Sequence, residues 1–255
     1  MVIGIRGELK VGKDAVTNII LKRLSESGVV ATNRKFADKL KDIICLLINC
    51  TREELEDRDF KTRSLGPEWT AYRIVGDYEY TTGEYLYTSL DEAQKQIDTN
   101  WKGYDKSVFI REELLTPRKL LQLIGTEGGR DLIHPNMWCN ALFSEYDVTS
   151  NWVVSDVRFP NEVAIIESNG GVVINIVRPF ELRFPQYAYL KEDTTTYQQI
   201  LDKLKKVDVE LFTTLSHQSE TILNDFSFEY TVHNDSTLTN LVENVTDIID
   251  KCWYK

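Results

Sequence analysis

One stretch near the start constrains this chain more than anything after it. An apolar run, Val2 to Arg6, meets Gly7-Glu8-Leu9-Lys10-Val11-Gly12-Lys13, and behind the lysine apolar residues recur at Val16, Ile19, Ile20 and Leu24. The run reads as a strand and the recurrence as one face of a helix. Between them lies G-x-x-x-x-G-K in the strand-to-helix setting that a phosphate-binding loop requires. Backbone N–H groups of such a loop converge on phosphate oxygens, the helix start adds partial positive charge, and the lysine reaches the outer phosphates. The rival reading is a glycine-bearing turn with an exposed lysine, and the flanking strand and helix favour the loop.

Asp14 stands where such a loop usually carries Ser or Thr. It offers no hydroxyl to Mg²⁺. Its carboxylate is suited to holding a metal through water or to orienting an acceptor, which fits a small-molecule kinase better than a switch GTPase.

The same alternation continues. A strand is predicted over Val29–Phe36, a helix over Ala37–Ile44, a helix opened by Thr116-Pro117-Arg118 and ended by Gly125, and a helix over Trp138–Tyr146. Then come strand Trp152–Ser155, helix Asn161–Ser168, a Gly170-Gly171 turn, strand Val172–Val177, strand Phe228–His233 and helix Leu238–Ile249. Apolar strands alternating with helices predict an α/β three-layer fold, a parallel sheet covered on both faces. The whole of residues 1–255 is read as one domain, with an insertion at about 66–115. Within it Tyr78–Tyr87 is predicted to form a hairpin around Gly83. The polar, tyrosine-rich stretch at about 178–216 shows neither strand nor helical period and is read as a mobile lid.

Thirty Lys and Arg against 40 Asp and Glu give a net charge of -10, which opposes a sequence-independent grip on duplex DNA. Cys45, Cys50, Cys139 and Cys252 have neither CxxC nor zinc spacing and are expected as reduced thiols. No apolar run is long enough to span a bilayer, and MVIGIRG lacks the features of a signal peptide, so the expected location is the cytoplasm.

Ligands of open parallel sheets bind beyond the carboxyl ends of strands, which sets Asp156 beside the loop. Arg158 is placed to meet an acceptor phosphate or the transferring group, where a positioned arginine is worth roughly 10³ to 10⁵ in rate. A surface ion pair is the bland reading of this Asp-Val-Arg turn. Arg178 and Arg183 flank Pro179 and Pro185 where a lid would lie; a solvated loop explains them as well. His134, Asn136 and Asn140 around Trp138 favour a pocket edge, although a helical tryptophan is more often core.

Taken with "FADKLKD", "TPRKLLQLIGTEGGRDLIHPNMWCNALF", "WVVSDVRFPNEVAIIESNGGVVINIVRP", "HQSE" and "YTVHNDSTLTNLVENV", the chain resembles the deoxynucleoside monophosphate kinases of tailed bacteriophages, within the P-loop nucleoside monophosphate kinase group. The resemblance covers most of the chain. It implies catalytic roles for Lys13, Asp14 and Arg158, and phosphate binding by Gly7, Lys10, Val11, Gly12, Lys13, Ala15, Arg178 and Arg183. It also implies acceptor binding by Asp14, Lys41, Arg118, Gly125, Thr126, Arg130, Trp138 and Asp156, with Lys61 near Lys41. Val11 and Ala15 replace the hydroxyl residues common in relatives, and Lys10 adds charge inside the loop. ATP is the implied donor, with Mg²⁺ carried by it and met by Asp14 or Asp156. The implied reaction moves the γ-phosphoryl group to a 2'-deoxynucleoside 5'-monophosphate for DNA precursor synthesis. Expected partners are small-molecule nucleotides, with a homodimer as the assembly considered, and for a chain of phage origin the location is the host cytoplasm. The alternatives are a kinase similar to dephospho-coenzyme A kinase and a nucleotide-binding switch, against which stands the lack of an NKxD sequence.

Overall fold

In the computed structural model, which describes residues 1–75, 86–100, 109–192 and 196–253, the apolar runs become strands of one sheet. The chain passes through β1 (Val2–Gly7), α1 (Lys13–Glu26), β2 (Thr32–Arg34), α2 (Asp38–Ile48), α3 (Arg52–Glu56), α4 (Arg58–Thr62), β3 (Thr70–Val75), β4 (Leu86–Tyr87), α5 (Leu90–Asn100), β5 (Phe109–Leu114) and α6 (Pro117–Gln122). A π-helix, Leu123–Ile133, comes next. Then come α7 (Met137–Phe143), β6 (Trp152–Val157), α8 (Pro160–Ser168), β7 (Val172–Val177), α9 (Phe180–Arg183), α10 (Tyr197–Val207), α11 (Val209–Ser216), α12 (Gln218–Thr221), β8 (Tyr230–His233) and α13 (Leu238–Trp253). These elements divide into two compact units, Met1–Lys39 with His134–Lys255, and Leu40–Ile133.

The first unit holds the sheet, in order β2-β6-β1-β7-β8, and every pairing is parallel. Its three central strands, β6, β1 and β7, are largely apolar on consecutive residues because helices cover both faces, whereas the edge strands β2 and β8 are mixed and partly exposed. Ile3, Ile5, Val153, Ile174 and Ile176 pack with Val16, Ile20 and Leu24 of α1 and with Leu241, Val245 and Ile249 of α13. The alternate residues Val2, Trp152, Val154 and Val173 pack with Cys139 and Leu142 of α7 and Val163 and Ile166 of α8. Each fully buried Ile or Leu stabilises the fold by about 1.5–3 kcal/mol. The α/β class read from the sequence is thereby borne out.

Strand β6 carries one irregularity. Gly4 pairs with Val154 but Arg6 pairs with Val157, so β6 contributes an extra residue in that interval. Such a shift re-aims side chains. Here Ser155 is buried, and the Asp156 carboxylate meets the backbone where β2 ends, accepting from Phe36 N–H at 2.8 Å and Ala37 N–H at 3.0 Å. Those amides are therefore lost to the ladder beyond Arg34, and at the other end Val29 N–H is spent on Leu24 O at 2.9 Å, so β2 spans Thr32–Arg34 and does not fill the expected Val29–Phe36.

The stretch expected to lack a helical period is helical. Helices α9, α10 and α11 and a 3₁₀ turn at Pro185–Leu190 enclose a core of Phe180, Phe184, Leu190, Ile200, Leu201, Leu204 and Leu215. Thr196 caps α10 by accepting from Gln199 N–H while the Gln199 side chain returns to Thr196 N–H. That reciprocal pair was the available sequence signal.

The second unit contains an antiparallel sheet, β4-β3-β5, paired from Thr70↔Leu114 to Val75↔Phe109. All three strands fall between residues 66 and 115. Most of the predicted Tyr78–Tyr87 hairpin lies outside the described residues; its final pair, Leu86 and Tyr87, joins Arg73 and Tyr72. Thr116 caps α6 with Pro117 in its first turn, as expected, but Gly125 does not stop the helix, which continues as a π-helix to Ile133. Gly125 is there for packing: a Cβ on it would lie 2.9 Å from Leu40 Cδ2. Among the described residues no helix is long and apolar enough to cross a membrane, and none of the four cysteines is in a disulfide.

Candidate phosphate-binding site

The loop from Gly7 to Lys13 leaves β1 and turns into α1 through a left-handed Gly12, φ +97°, which occupies the N-cap position. A Cβ on Gly12 would come within 2.6 Å of Asn234 Nδ2, the group that donates to Val11 O at 2.8 Å. Gly7 is equally confined, since a Cβ there would sit 2.5 Å from Val11 Cγ2. Val11 is thus explained without a hydroxyl, because its side chain belongs to the sheet core and only its backbone lines the loop. Lys10 is exposed and adopts φ +63°.

Lys13 folds over the loop and donates to Gly7 O at 2.6 Å and Glu8 O at 2.8 Å. Burial, reinforced by the neighbouring Arg158 and opposed by Glu220, Asp14 and Asp156, lowers its pKa to about 8. Asp14 and Ala15 lie on the first turn of α1, and both are exposed. Burial raises the pKa of Asp156, against the two amide hydrogen bonds that favour its charged form.

Charged side chains brace the loop from behind. Glu220 is 8% exposed; one oxygen accepts from Leu9 N–H at 2.8 Å and the other pairs with Arg158. Arg158 is held a second time by its own backbone N–H, which donates to the buried Glu162 at 2.6 Å. Arg183 is 6% exposed, pairs with Glu8 and reaches Leu9 O at 3.4 Å, while Tyr197 OH donates to Glu8 at 3.1 Å. Arg6 donates to Asn175 and Asn224. Arg183 was expected on a mobile lid; the structure sets it in a buried ion pair with the loop instead. Arg178 is half-buried, and its Nε is buried with no hydrogen-bond partner among the described residues. Trp138, on α7, is 2% exposed.

The remaining candidates belong to the second unit. Lys41 and Lys61 meet on opposite oxygens of Glu56. Burial alone would raise the Glu56 pKa, but hydrogen bonds and charge from both lysines bring it down to about 2. Arg118 lies on α6, with a buried Nε that has no hydrogen-bond partner among the described residues, and Gly125, Thr126 and Arg130 lie on the π-helix.

No family model matches the chain. Among curated proteins it is 28% identical over 207 residues to the deoxynucleoside-5'-monophosphate kinase of Escherichia phage T5, across 72% of this chain and 80% of that one. A putative deoxynucleotide monophosphate kinase of Acanthamoeba polyphaga mimivirus is 28% identical over 142 residues, 50% of this chain and 63% of its own length. The chain is similar to viral deoxynucleotide monophosphate kinases. The resemblance read from its motifs holds, and these relatives support a phosphotransferase, a nucleotide kinase in the broad sense. Among solved structures, dephospho-CoA kinase from Campylobacter jejuni overlays 98% of this chain and 96% of its own at a TM-score of 0.35 and 13% identity, too loose an overlap to support an inference.

Sequence reasoning assigned no role to Glu220, Glu8, Tyr197, Glu162, Arg6 or Asn234. "HQSE" and "YTVHNDS" contain two of them, but burial of an acid is a tertiary property that no local pattern carries. Among the described residues no group of three or more His, Cys, Asp and Glu forms a metal cluster. What the loop offers a Mg²⁺–nucleotide is the N–H groups before α1, the Lys13 ammonium and the Asp14 carboxylate. That donor set fits a metal which keeps several waters and takes one or two carboxylates plus phosphates.

Proposed function

We propose that the chain transfers the γ-phosphoryl group of ATP to a 2'-deoxynucleoside 5'-monophosphate, giving the diphosphate and ADP. The observation that carries this reading is a loop with Lys13 at the end of a buried strand and Arg158 electrostatically close to it at the end of the adjacent strand. Loop N–H groups and Lys13 bind the donor phosphates. When bound, Mg²⁺ would neutralise charge on those phosphates, and the exposed Asp14 carboxylate would meet it through water, while Asp156 is tied to the Phe36 and Ala37 amides. Arg158 meets the charge that spreads over the transferring group, Arg178 supplies a second guanidinium, and Arg183 fixes the loop through Glu8.

The acceptor phosphate brings its own nucleophilic oxygen, so the chain supplies position and charge rather than a general base. Trp138, Lys41, Arg118, Gly125, Thr126 and Arg130 are assigned to the acceptor, within one kinase domain whose insertion serves it. A host-cytoplasmic site of DNA precursor synthesis accords with the phage relative. The test is an ADP-release assay over the four deoxynucleoside monophosphates and their ribose counterparts, with products resolved by chromatography. Phosphorylated deoxynucleotide is expected; steady ATP hydrolysis with no phosphorylated acceptor would remove the reading.

A further inference from the structure

The segment 217–224 opens with "HQSE", and the proposed reaction assigns it nothing. His217 starts the helical turn α12, its Nδ1 accepting from Ser219 N–H at 3.2 Å. One turn apart, Glu220 and Asn224 both reach toward β1 and its loop: Glu220 contacts Leu9 N–H and Arg158, and Asn224 accepts from Arg6. A buried carboxylate is costly unless it is paired and hydrogen-bonded, and each oxygen of Glu220 has such a partner.

We propose that Glu220 is a positioning residue for phosphoryl transfer: one carboxylate holds the phosphate loop at Leu9 and the guanidinium of Arg158 together, so that donor site and transferring arginine keep one geometry. The inference rests on the kinase reading above. Two facts point past a purely structural pair. Among the described residues, the guanidinium donates through Nη1 alone, to Glu220 and to Ser219 Oγ at 3.5 Å, which leaves Nε and Nη2 to a phosphate. Second, a free arginine samples many rotamers, and fixing Nη1 selects one before substrate arrives, which is the preorganisation that charge stabilisation requires.

A double-mutant cycle tests this. Glu220→Gln keeps an oxygen for Leu9 N–H but removes the charge facing Arg158, and Glu220→Asp keeps the charge but shortens the reach. Each is made in the wild-type and Arg158→Ala backgrounds, with folding checked by near-UV circular dichroism. Glu220→Gln is expected to lower kcat at least tenfold with the KM for ATP within threefold, and to cost less than twofold more once Arg158 is gone. Equal losses in both backgrounds, a change in KM alone, or an unchanged kcat would overturn the proposal, as would failure of both Glu220 variants to fold. A second measurement separates this inference from the reaction itself. The Nε–H of Arg158, observed by ¹⁵N NMR and assigned with Arg158→Lys, should be ordered in the wild type and disordered in Glu220→Gln. If it is so while the wild type phosphorylates no deoxynucleotide, the reaction was misread and the positioning stands. If it is disordered in the wild type, the positioning falls.

Discussion

Between pH 7 and pH 9 the side chain of Lys13 should pass from charged to neutral, because burial beside Arg158 sets its pKa at about 8. About ten lysines in eleven carry the proton at pH 7 and about one in eleven at pH 9, by simple titration around that value. The loop needs the cation to draw in the donor phosphates, so kcat/KM for ATP, which reports the free enzyme, is expected to fall about tenfold across the interval. Of the other shifted groups, Cys50 is raised to about 11 and Tyr197 to about 12, above the interval, whereas burial lowers the Met1 amino group from its ordinary 8.0, a titration that any Lys13 variant shares. The assay is initial rate at sub-saturating ATP in overlapping buffers from about pH 6.5 to 9.5, a span that brackets the titration. Lys13→Arg, charged throughout, is the control and should have lower activity but no alkaline limb. Folding stability must slope the other way. The unfolded chain holds the lysine proton up to its ordinary pKa of 10.5 while the folded chain releases it near 8, so the contribution of Lys13 to stability falls as pH drops through that window and is recovered above it. A kcat/KM flat across the whole range, or an identical alkaline limb in Lys13→Arg, would refute the reasoning.

Gly12→Ala should lose ATP binding and about 1–2 kcal/mol of stability, since a side chain at φ +97° is strained and its Cβ would press on Asn234; a thermal melt and an ATP titration check it. Trp138→Ala should cost about 3–5 kcal/mol by denaturant melt, and if the ring also borders the acceptor, the folded fraction should show a raised deoxynucleotide KM. Asp14→Asn should leave the melting temperature nearly unchanged, because Gly12 and not Asp14 is the helix cap, while turnover falls for lack of a metal-facing charge.

The sheet and its phosphate loop were legible because long apolar runs with clear periods leave few alternatives: β1, α1, β6, α8 and β7 came within about two residues of their observed ends. Strand β3 was missed, since Thr-Ala-Tyr-Arg-Ile-Val is mixed in character and is stabilised by cross-strand neighbours rather than by its own pattern. Gly125 was misjudged because a glycine that ends a helix and one that admits Leu40 look alike in sequence. Lys41 and Lys61 were grouped by sequence alone, and the Glu56 that joins them was not foreseen. The site was half visible. Gly7, Gly12, Lys13, Asp156 and Arg158 are readable from strand ends and a motif, whereas Glu220, and the ion pair that turns Arg183 from a lid residue into a brace, join residues 211 and 175 positions apart along the chain.

The sheet order also governs how the chain leaves the ribosome. Strand β1 is made first, yet its two neighbours are β6 and β7, the latter complete only at Val177. At ~5–20 residues per second, a segment whose Val2, Ile3 and Ile5 end fully buried waits roughly 9 to 35 s for its partners. During that wait the nascent chain displays β1 as an unpaired apolar strand. Non-local pairing of this kind makes folding slow and leaves β1 open to wrong partners until residue 177 has emerged.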